Sequence, residues 1–384
     1  MVVGVAGREA EIVVFSAEDA QHMQRALDLA RRGLYSTSPN PAVGCVLVRW
    51  GQVVGAGVHE RAGGPHAEIF ALREAGAAAA GATAFVTLEP CSHQGRTPPC
   101  VDALIEARVA RVVVAMRDPN PAVNGSGVLR LAQAGIPCST GLLEADAAEI
   151  NRGFVNRMLH GRPWVTLKLG ASLDGRTALA NGTSKWITSE KSRADVQRLR
   201  ARACAVITGS GTVVADDPML TVRDSQYEMR GRRPIRVVLD TDLRTPTTAR
   251  VLCFAGSALI MTRDAESPLA QPLREAGARI ESVAVSDAGR LDLEAVLARL
   301  GELKCNEVLV EAGPTLAGDF MRSGLVDELV VYMAPVLLGH AARGLFNLPA
   351  LERMCDRCEF DWQDVERVGD DLRLTLRPRP KAGT

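Results

Sequence analysis

The sequence carries no excess of charge of either sign. Lys+Arg and Asp+Glu both number 45 in a chain of 384 residues, so no net field draws it to nucleic acid or a membrane surface. Any phosphate it binds must be gripped locally. No apolar run reaches the roughly 18–20 residues that span a bilayer. The opening stretch, MVVGVAGREAEIVVF, has apolar patches but no basic leader, and Arg8, Glu9 and Glu11 interrupt it, which argues against a signal peptide. A disulfide framework is missing too. The nine cysteines are an odd number, scattered through a chain large enough to need no staples. They read as reduced thiols of a cytoplasmic protein, available as metal ligands. No repeat of fixed period occurs, and no G-x-G-x-x-G follows a strand-like segment in the second half, which leaves a Rossmann site unsupported.

What is present is ordinary globular composition, 47% hydrophobic and 23% charged, at a length that suggests two domains. SAEDAQHMQRALDLARRG (16–33) predicts a helix capped by Ser16 with Asp19 three positions on, and AVGCVLVRWGQVVGAGV (42–58) predicts two strands meeting near Gly51. Helix 66–76, strand 83–90, helix 100–108 and strand 110–116 follow, so strands and helices alternate as in a layered α/β sheet. A helix-like segment over 144–161 leads to a boundary near Gly161–Pro163. Beyond it, PWVTLKLG, CAVITGS, IRVVLD, ALIMTR, NEVLVEAG, DELVVYMAP and DLRLTLRP supply strands of a second α/β domain. Cys45, Cys204 and Cys253 read as small core residues in strand-like segments, and Trp50 and Trp164 as packing residues.

The chemistry-bearing residues of the first half are His66, Glu68, Cys91 and Cys100. Three protein ligands with an open position define catalytic zinc, whereas structural zinc is closed by four. His66, Cys91 and Cys100 supply three, each at or beside a predicted helix start, where backbone N–H groups favour a thiolate. Glu68 lies two residues beyond His66, beside the metal without binding it, and suits proton transfer. H-x-E alone is an ordinary helix start, and two cysteines eight residues apart are unremarkable; their joint occurrence after this strand–helix order is the informative feature.

Zinc nucleobase deaminases carry H-x-E followed by P-C-x-x-C. Here His66-Ala-Glu68 and Pro90-Cys91 match, but the second cysteine comes after eight residues instead of two. That departure fits one branch. The stretch SPNPAVGCVLV…GAGVHERAGGPHAE…TLEPCSHQGRTPPC resembles the deaminase half of the RibD family, the bifunctional riboflavin-biosynthesis enzymes, and KLGASLDGRTA, SKWITS, ADDPMLTVR and VEAGPTLAGDF extend the resemblance. It covers nearly the whole chain, leaving residues 1–15 as an extension.

The resemblance implies a cytidine-deaminase-like three-layer domain over 1–161 and a dihydrofolate-reductase-like domain over 162–384. It implies hydrolysis of the exocyclic 2-amino group of 2,5-diamino-6-(5-phosphoribosylamino)pyrimidin-4-one, with Glu68 shuttling protons, and then NADPH-dependent reduction of the ribosyl sugar to a ribityl chain. Asn40, His59, His93 and Arg96 match family positions lining the deaminase substrate site; the alternative for His93 is a fourth zinc ligand or a solvent-facing loop residue. Gly170, Ala171, Trp186, Thr212 and Asp216 would lie on NADPH, with Gly313, Pro314, Thr315, Leu316, Ala317, Gly318 and Asp319 around its phosphates. Lys168, Ser184, Arg200, Leu220, Arg223 and Glu311 would face the substrate, Arg200 and Arg223 being suited to its 5′-phosphate. Lys168 is either a proton donor or a salt-bridged strand lysine. One zinc per chain and a dimer through the second domain complete what the resemblance implies.

Two other readings stand beside it. One is a nucleobase, nucleoside or tRNA deaminase fused to an unrelated reductase. The balanced charge and the long cysteine spacing disfavour its tRNA form. The other is a zinc-stabilised binding module with a dead site, in which Glu68 has no purpose. The lone Cys355-Asp-Arg-Cys358, without a second pair or a nearby histidine, reads as coincidental.

Overall fold

The computed structural model describes residues 3–5, 12–92, 99–121, 123–254 and 258–379. The chain divides into two compact units, Met1–Gly161 and Arg162–Thr384. No described helix is long and apolar enough to cross a membrane.

The first unit opens with a short antiparallel pair, β1 (Val3–Val5) and β2 (Ile12–Val14). Helix α1 (Ala17–Arg32) follows, started by a capping box in which the Ser16 hydroxyl accepts from the Asp19 N–H and the Asp19 carboxylate from that of Ser16. Next come β3 (Gly44–Arg49), β4 (Gln52–Val58), α2 (Ala67–Ala75), β5 (Thr83–Leu88), α3 (Cys100–Glu106), β6 (Arg111–Met116), α4 (Ser126–Gln133) and β7 (Cys138–Thr140). Helices α5 (Glu144–Ile150) and α6 (Arg152–His160) close the unit. The sheet runs β4-β3-β5-β6-β7, antiparallel through β5 and parallel from there to β7.

Glycines set how closely the helices approach this sheet. A Cβ on Gly44 would stand 1.9 Å from the Ala26 carbonyl of α1, and one on Gly57 would stand 2.0 Å from the Ala67 carbonyl of α2. Cys45, next to Gly44, pairs across the ladder with Gly57. The two glycines therefore point to opposite faces, and α1 and α2 cover opposite sides. The unit is three-layered.

Two sequence expectations fail in this unit. The hairpin β3–β4 turns through Trp50 and Gly51, both left-handed (φ 52° and 73°), as a two-residue turn demands. At that tip Trp50 is 85% exposed under the stacked Arg49 guanidinium, so it does not pack in the core. The segment 144–161 is not one helix, because Asn151 breaks it. The Asn151 side chain accepts from the Ala42 N–H at 2.8 Å and donates to the Ala42 carbonyl at 2.9 Å, acting as a strand partner for Ala42. Its own backbone leaves helical geometry to do so (φ −104°, ψ 19°).

The second unit contains β8 (Trp164–Ser172), β9 (Arg176–Ala178), α7 (Glu190–Arg202), β10 (Ala205–Gly209), α8 (Ser210–Asp216), β11 (Ile235–Leu239) and β12 (Ala258–Thr262). It continues through α9 (Ala270–Glu275), β13 (Arg279–Ser282), α10 (Leu293–Glu302), β14 (Glu307–Glu311), α11 (Pro314–Arg322), β15 (Glu328–Ala334), β16 (Arg343–Gly344), β17 (Phe360–Val368) and β18 (Asp371–Pro378). Nine strands form one sheet in the order β13-β12-β11-β10-β14-β8-β15-β18-β17, parallel up to β15 and antiparallel beyond. Strands β9 and β16 pair separately.

Along the central strands alternate residues enter different cores. Ala205, Ile207, Val237 and Leu239 face one, and Val206, Val238 and Ile260 the other. Both faces of the sheet are thus covered, which is why these strands read as nearly unbroken apolar runs. Of the three cysteines expected in strands only Cys45 is one: Cys204 precedes β10 and Cys253 follows a short 3₁₀ turn, both half-buried.

Candidate active sites

In the first unit the turn between β4 and α2 delivers His66 as the residue that begins α2, with Glu68 in the helix's first turn. Gly57 lets that turn lie against the sheet. The end of β5 delivers Cys91, and the first residue of α3 is Cys100. The Cys91 carbonyl and sulfur accept from the first N–H groups of α3, Val101 at 3.2 Å and Cys100 at 3.3 Å, so the two cysteines are tied together by backbone.

The donor atoms of His66, Cys91 and Cys100 all lie within 4.8 Å of one another. His66 Nδ1 is 3.0 Å from the Cys100 sulfur and 3.6 Å from that of Cys91. Hydrogen bonds from the Cys100 thiol and from His66 hold Cys91 down to about 4, against the resistance of burial, and the same contact pushes the Cys100 thiol up. One imidazole and two sulfurs at such spacing fit a zinc ion.

Glu68 is 3% exposed, and its Oε2 has no hydrogen-bond partner among the described residues. Burial raises the pKa of this carboxyl, while His66 opposes the rise. A buried carboxylate oxygen left open beside three metal donors suits a group that handles a proton.

His59, expected to line the substrate site, is itself buried at 2% exposure. Its Nδ1 donates to the Pro65 carbonyl at 2.9 Å, which leaves Nε2 to accept from the Asn40 side-chain amide at 3.1 Å. Burial lowers the His59 pKa, consistent with that neutral tautomer. Asn40 is thereby oriented by His59. His93 and Arg96 lie outside the described residues.

The second unit holds a cleft of about 1080 Å³. Strands β10, β11 and β14 end at it and β8 runs along it through Lys168, Leu169 and Gly170, as expected for a ligand crevice at the carboxyl edge of a parallel sheet. Gly170, Trp186, Thr212, Asp216, Gly313, Pro314, Thr315, Leu316 and Asp319 line it, together with Lys168, Ser184, Arg200, Leu220, Arg223 and Glu311. Three expected contacts do not reach its wall. Ala171 and Ala317 are wholly buried in the core, and Gly318 packs where a Cβ would stand 2.3 Å from the Asn347 carbonyl. The Asp319 carboxylate is taken up by Arg290 at 2.9 Å and by Arg322.

Glu311 and Lys168 are cross-strand partners on β14 and β8. Burial works against the Glu311 charge, but Arg200's field and hydrogen bonds outweigh it and hold the carboxyl at about 2. Burial lowers the Lys168 pKa, with Glu311 countering. Three Arg200 donors are engaged, two by Glu311 and one by the Thr221 carbonyl at 3.1 Å. The Arg223 guanidinium makes no hydrogen bond among the described residues, and its pKa is lowered by burial, then by Arg200 and Arg250. Its guanidinium is therefore open to an anion, as are those of Arg244, Arg250 and Arg343 on the same cleft wall among the described residues.

Sequence reasoning missed Arg193 and Gln197, which also line the cleft. Arg193 stacks 4.4 Å over Trp186, and the Gln197 carbonyl accepts from the Arg223 N–H at 2.8 Å. The signal was there: 193, 197 and 200 recur at i, i+4 and i+7, a polar stripe along one face of α7.

Residues 16–116 match the family model for the cytidine and deoxycytidylate deaminase zinc-binding region, and residues 163–374 match that for the RibD C-terminal domain. The riboflavin biosynthesis protein RibD of Escherichia coli K12 is 50% identical over 369 residues, covering 94% of this chain and 99% of that protein. The chain belongs to the RibD family. The RibD of Haemophilus influenzae is 45% identical over 95% of the chain and 99% of its own length. Among solved structures, a form of Acinetobacter baumannii RibD superposes with a TM-score of 0.88 at 46% identity, covering 94% of this chain and 99% of that one. A Thermotoga maritima diaminohydroxyphosphoribosylaminopyrimidine deaminase/5-amino-6-(5-phosphoribosylamino)uracil reductase gives 0.82 at 34% identity, with the same coverage. As a RibD this chain is a bifunctional enzyme of riboflavin biosynthesis acting on a small molecule, with a zinc-binding deaminase domain and a reductase domain that uses a nicotinamide cofactor.

Proposed function

We propose that the unit 1–161 hydrolyses the 2-amino group of 2,5-diamino-6-(5-phosphoribosylamino)pyrimidin-4(3H)-one, and that the unit 162–384 reduces the product's ribosyl chain with NADPH to give 5-amino-6-(5-phosphoribitylamino)uracil. The observation that carries the first half is the open Oε2 of buried Glu68 beside His66, Cys91 and Cys100. Those three residues would hold one zinc ion, which when bound acts as a Lewis acid and eases ionisation of water. Glu68 takes a proton from the attacking water and returns it to the departing amine, which leaves as ammonia. Positioned transfer of this kind is worth about 10²–10⁴ in rate. Asn40, held by His59, orients the pyrimidine, with His93 and Arg96 assigned beside it by kinship.

In the second unit Arg223 grips the 5′-phosphate, and Glu311 with Arg200 fixes Lys168 and the sugar between them. NADPH, when bound, supplies a hydride; Gly170, Trp186, Thr212, Asp216 and the Gly313–Leu316 start of α11 orient it. Free N–H groups at the start of a helix suit its pyrophosphate. Reduction of the opened imine needs one proton as well. Lys168, its pKa lowered by burial, supplies it. A cytoplasmic homodimer belongs to the same reading and is supported by kinship alone.

A coupled assay of the full chain tests this. Ammonia should appear from the diaminopyrimidine phosphate without NADPH, and NADPH oxidation should follow only after deamination. NADPH oxidation on the undeaminated compound at the same rate would refute the assigned order.

A further inference from the structure

We propose that Glu89 is a positioning residue for the zinc site, holding the Cys91 arm through helix α4. It lies two residues before Cys91, directly after β5, and is 3% exposed. Its two oxygens together accept four backbone N–H groups. Oε1 accepts from the Gly127 and Val128 N–H groups at 2.9 and 3.2 Å, and Oε2 from those of Gly125 and Asp118 at 2.9 and 3.2 Å. Gly125 precedes α4, and Gly127 and Val128 lie in its first turn, where no carbonyl of the helix itself can reach them. A side chain from the residue just after β5 thus caps α4.

The consequence is that α4 becomes a brace for both sulfur ligands. A Cβ on Gly127 would stand 2.2 Å from the Pro90 carbonyl, so α4 is seated against the residue before Cys91. The Ser92 and Ser126 hydroxyls meet at 2.6 Å, just beyond Cys91. From further along α4, Arg130 donates to the Ser92 carbonyl at 3.1 Å and pairs at 2.6 Å with Asp102, two residues beyond Cys100. A carboxylate accepting four N–H groups has no substitute of the same shape. In Glu89→Gln an amide NH₂ would face two of those donors, so the cap fails and the arm carrying Cys91 loosens.

This inference rests on the zinc site proposed above. The test is the rate at which the full-length, zinc-loaded protein surrenders metal to a chromophoric chelator. Glu89→Gln should lose zinc faster, and its affinity should fall on the order of 10–100-fold, as for other residues that orient metal ligands from behind. Excess zinc should restore ammonia release. Reduction of already deaminated substrate, measured on the same protein, should stay at the wild-type rate. Val112→Ala, a core truncation on β6, serves as the control for general destabilisation of this unit and should release zinc at the wild-type rate. If Glu89→Gln does not fold, Arg130→Leu cuts the same brace at its other end and should change zinc release in the same direction. Zinc release from Glu89→Gln no faster than from Val112→Ala at equal melting temperature would overturn the inference. A wild-type chain that binds no zinc would instead overturn the site on which it rests.

Discussion

Arg200 and Glu311 form a two-pronged ion pair in the wall of the reductase cleft, with Nε–Oε1 at 2.5 Å and Nη2–Oε2 at 2.9 Å. Their side chains are 10% and 13% exposed, so water screens the pair little. Helix α7 carries one partner and the end of β14 the other, and Lys168 sits across the ladder from Glu311. One carboxylate therefore faces two cations, and the Arg223 guanidinium beside them makes no hydrogen bond among the described residues.

Acid should weaken the second unit through this pair. The Glu311 carboxyl is held at about 2, below its ordinary 4.5. A depressed acid contributes stability that is fully present above the unfolded value and lost as pH falls through the folded one. Glu311→Gln leaves Arg200 buried without its partner and should cost about 3–5 kcal/mol at neutral pH. Denaturant melts should show that deficit shrinking between pH 4.5 and about 2.

Arg223→Ala should act on the phosphate and little else. A charge-assisted hydrogen bond is worth about 1.5–3 kcal/mol, or roughly a 10–100-fold rise in KM for the phosphorylated substrate. Steady-state kinetics on the dephosphorylated analogue should show almost no change. An equal loss on both compounds would mean that Arg223 supports the cleft instead of holding the phosphate.

How much of this was legible beforehand depends on whether a feature is local. The Ser16–Asp19 capping box, the alternating strands and the helix starts at His66 and Cys100 follow from neighbours in sequence, and the structure has them. The exposed strand β17, Phe360–Val368, was not read, because FDWQDVERV has no clean alternation and its partner β18 alone defines it. Asn151 looked like a helix residue until Ala42, far away in sequence, claimed its amide. Glu89 gave no signal either, since its four donors come from residues 118–128. At the site itself the sequence pattern singles out His66, Cys91 and Cys100, which the structure brings together, whereas the burial of His59 behind Asn40 depends on the folded loop.

Gly57→Ala should damage the metal site without touching a ligand. The added methyl would stand 2.0 Å from the Ala67 carbonyl and push the first turn of α2, with His66 and Glu68, off the sheet. Overpacking of this kind costs about 1–3 kcal/mol. Calorimetry should find the first unit destabilised by that amount, with reduced zinc content and unchanged reduction of deaminated substrate.

Removing the metal should separate the two activities. Thiol titration of the native chain should find Cys91 and Cys100 protected, and both should become reactive after chelation. Ammonia release should cease at the same time and return with added zinc, while NADPH oxidation on deaminated substrate continues throughout.

The most direct measurement is ammonia release by Glu68→Gln, made together with metal analysis of the same sample. The isosteric amide cannot accept and return a proton, so deamination should fall by about 10²–10⁴ while zinc content and the reductase rate stay at wild-type levels. Deamination at the wild-type rate by the zinc-replete variant would contradict the account, because the open carboxylate oxygen at the centre of the site would then have no part in the chemistry.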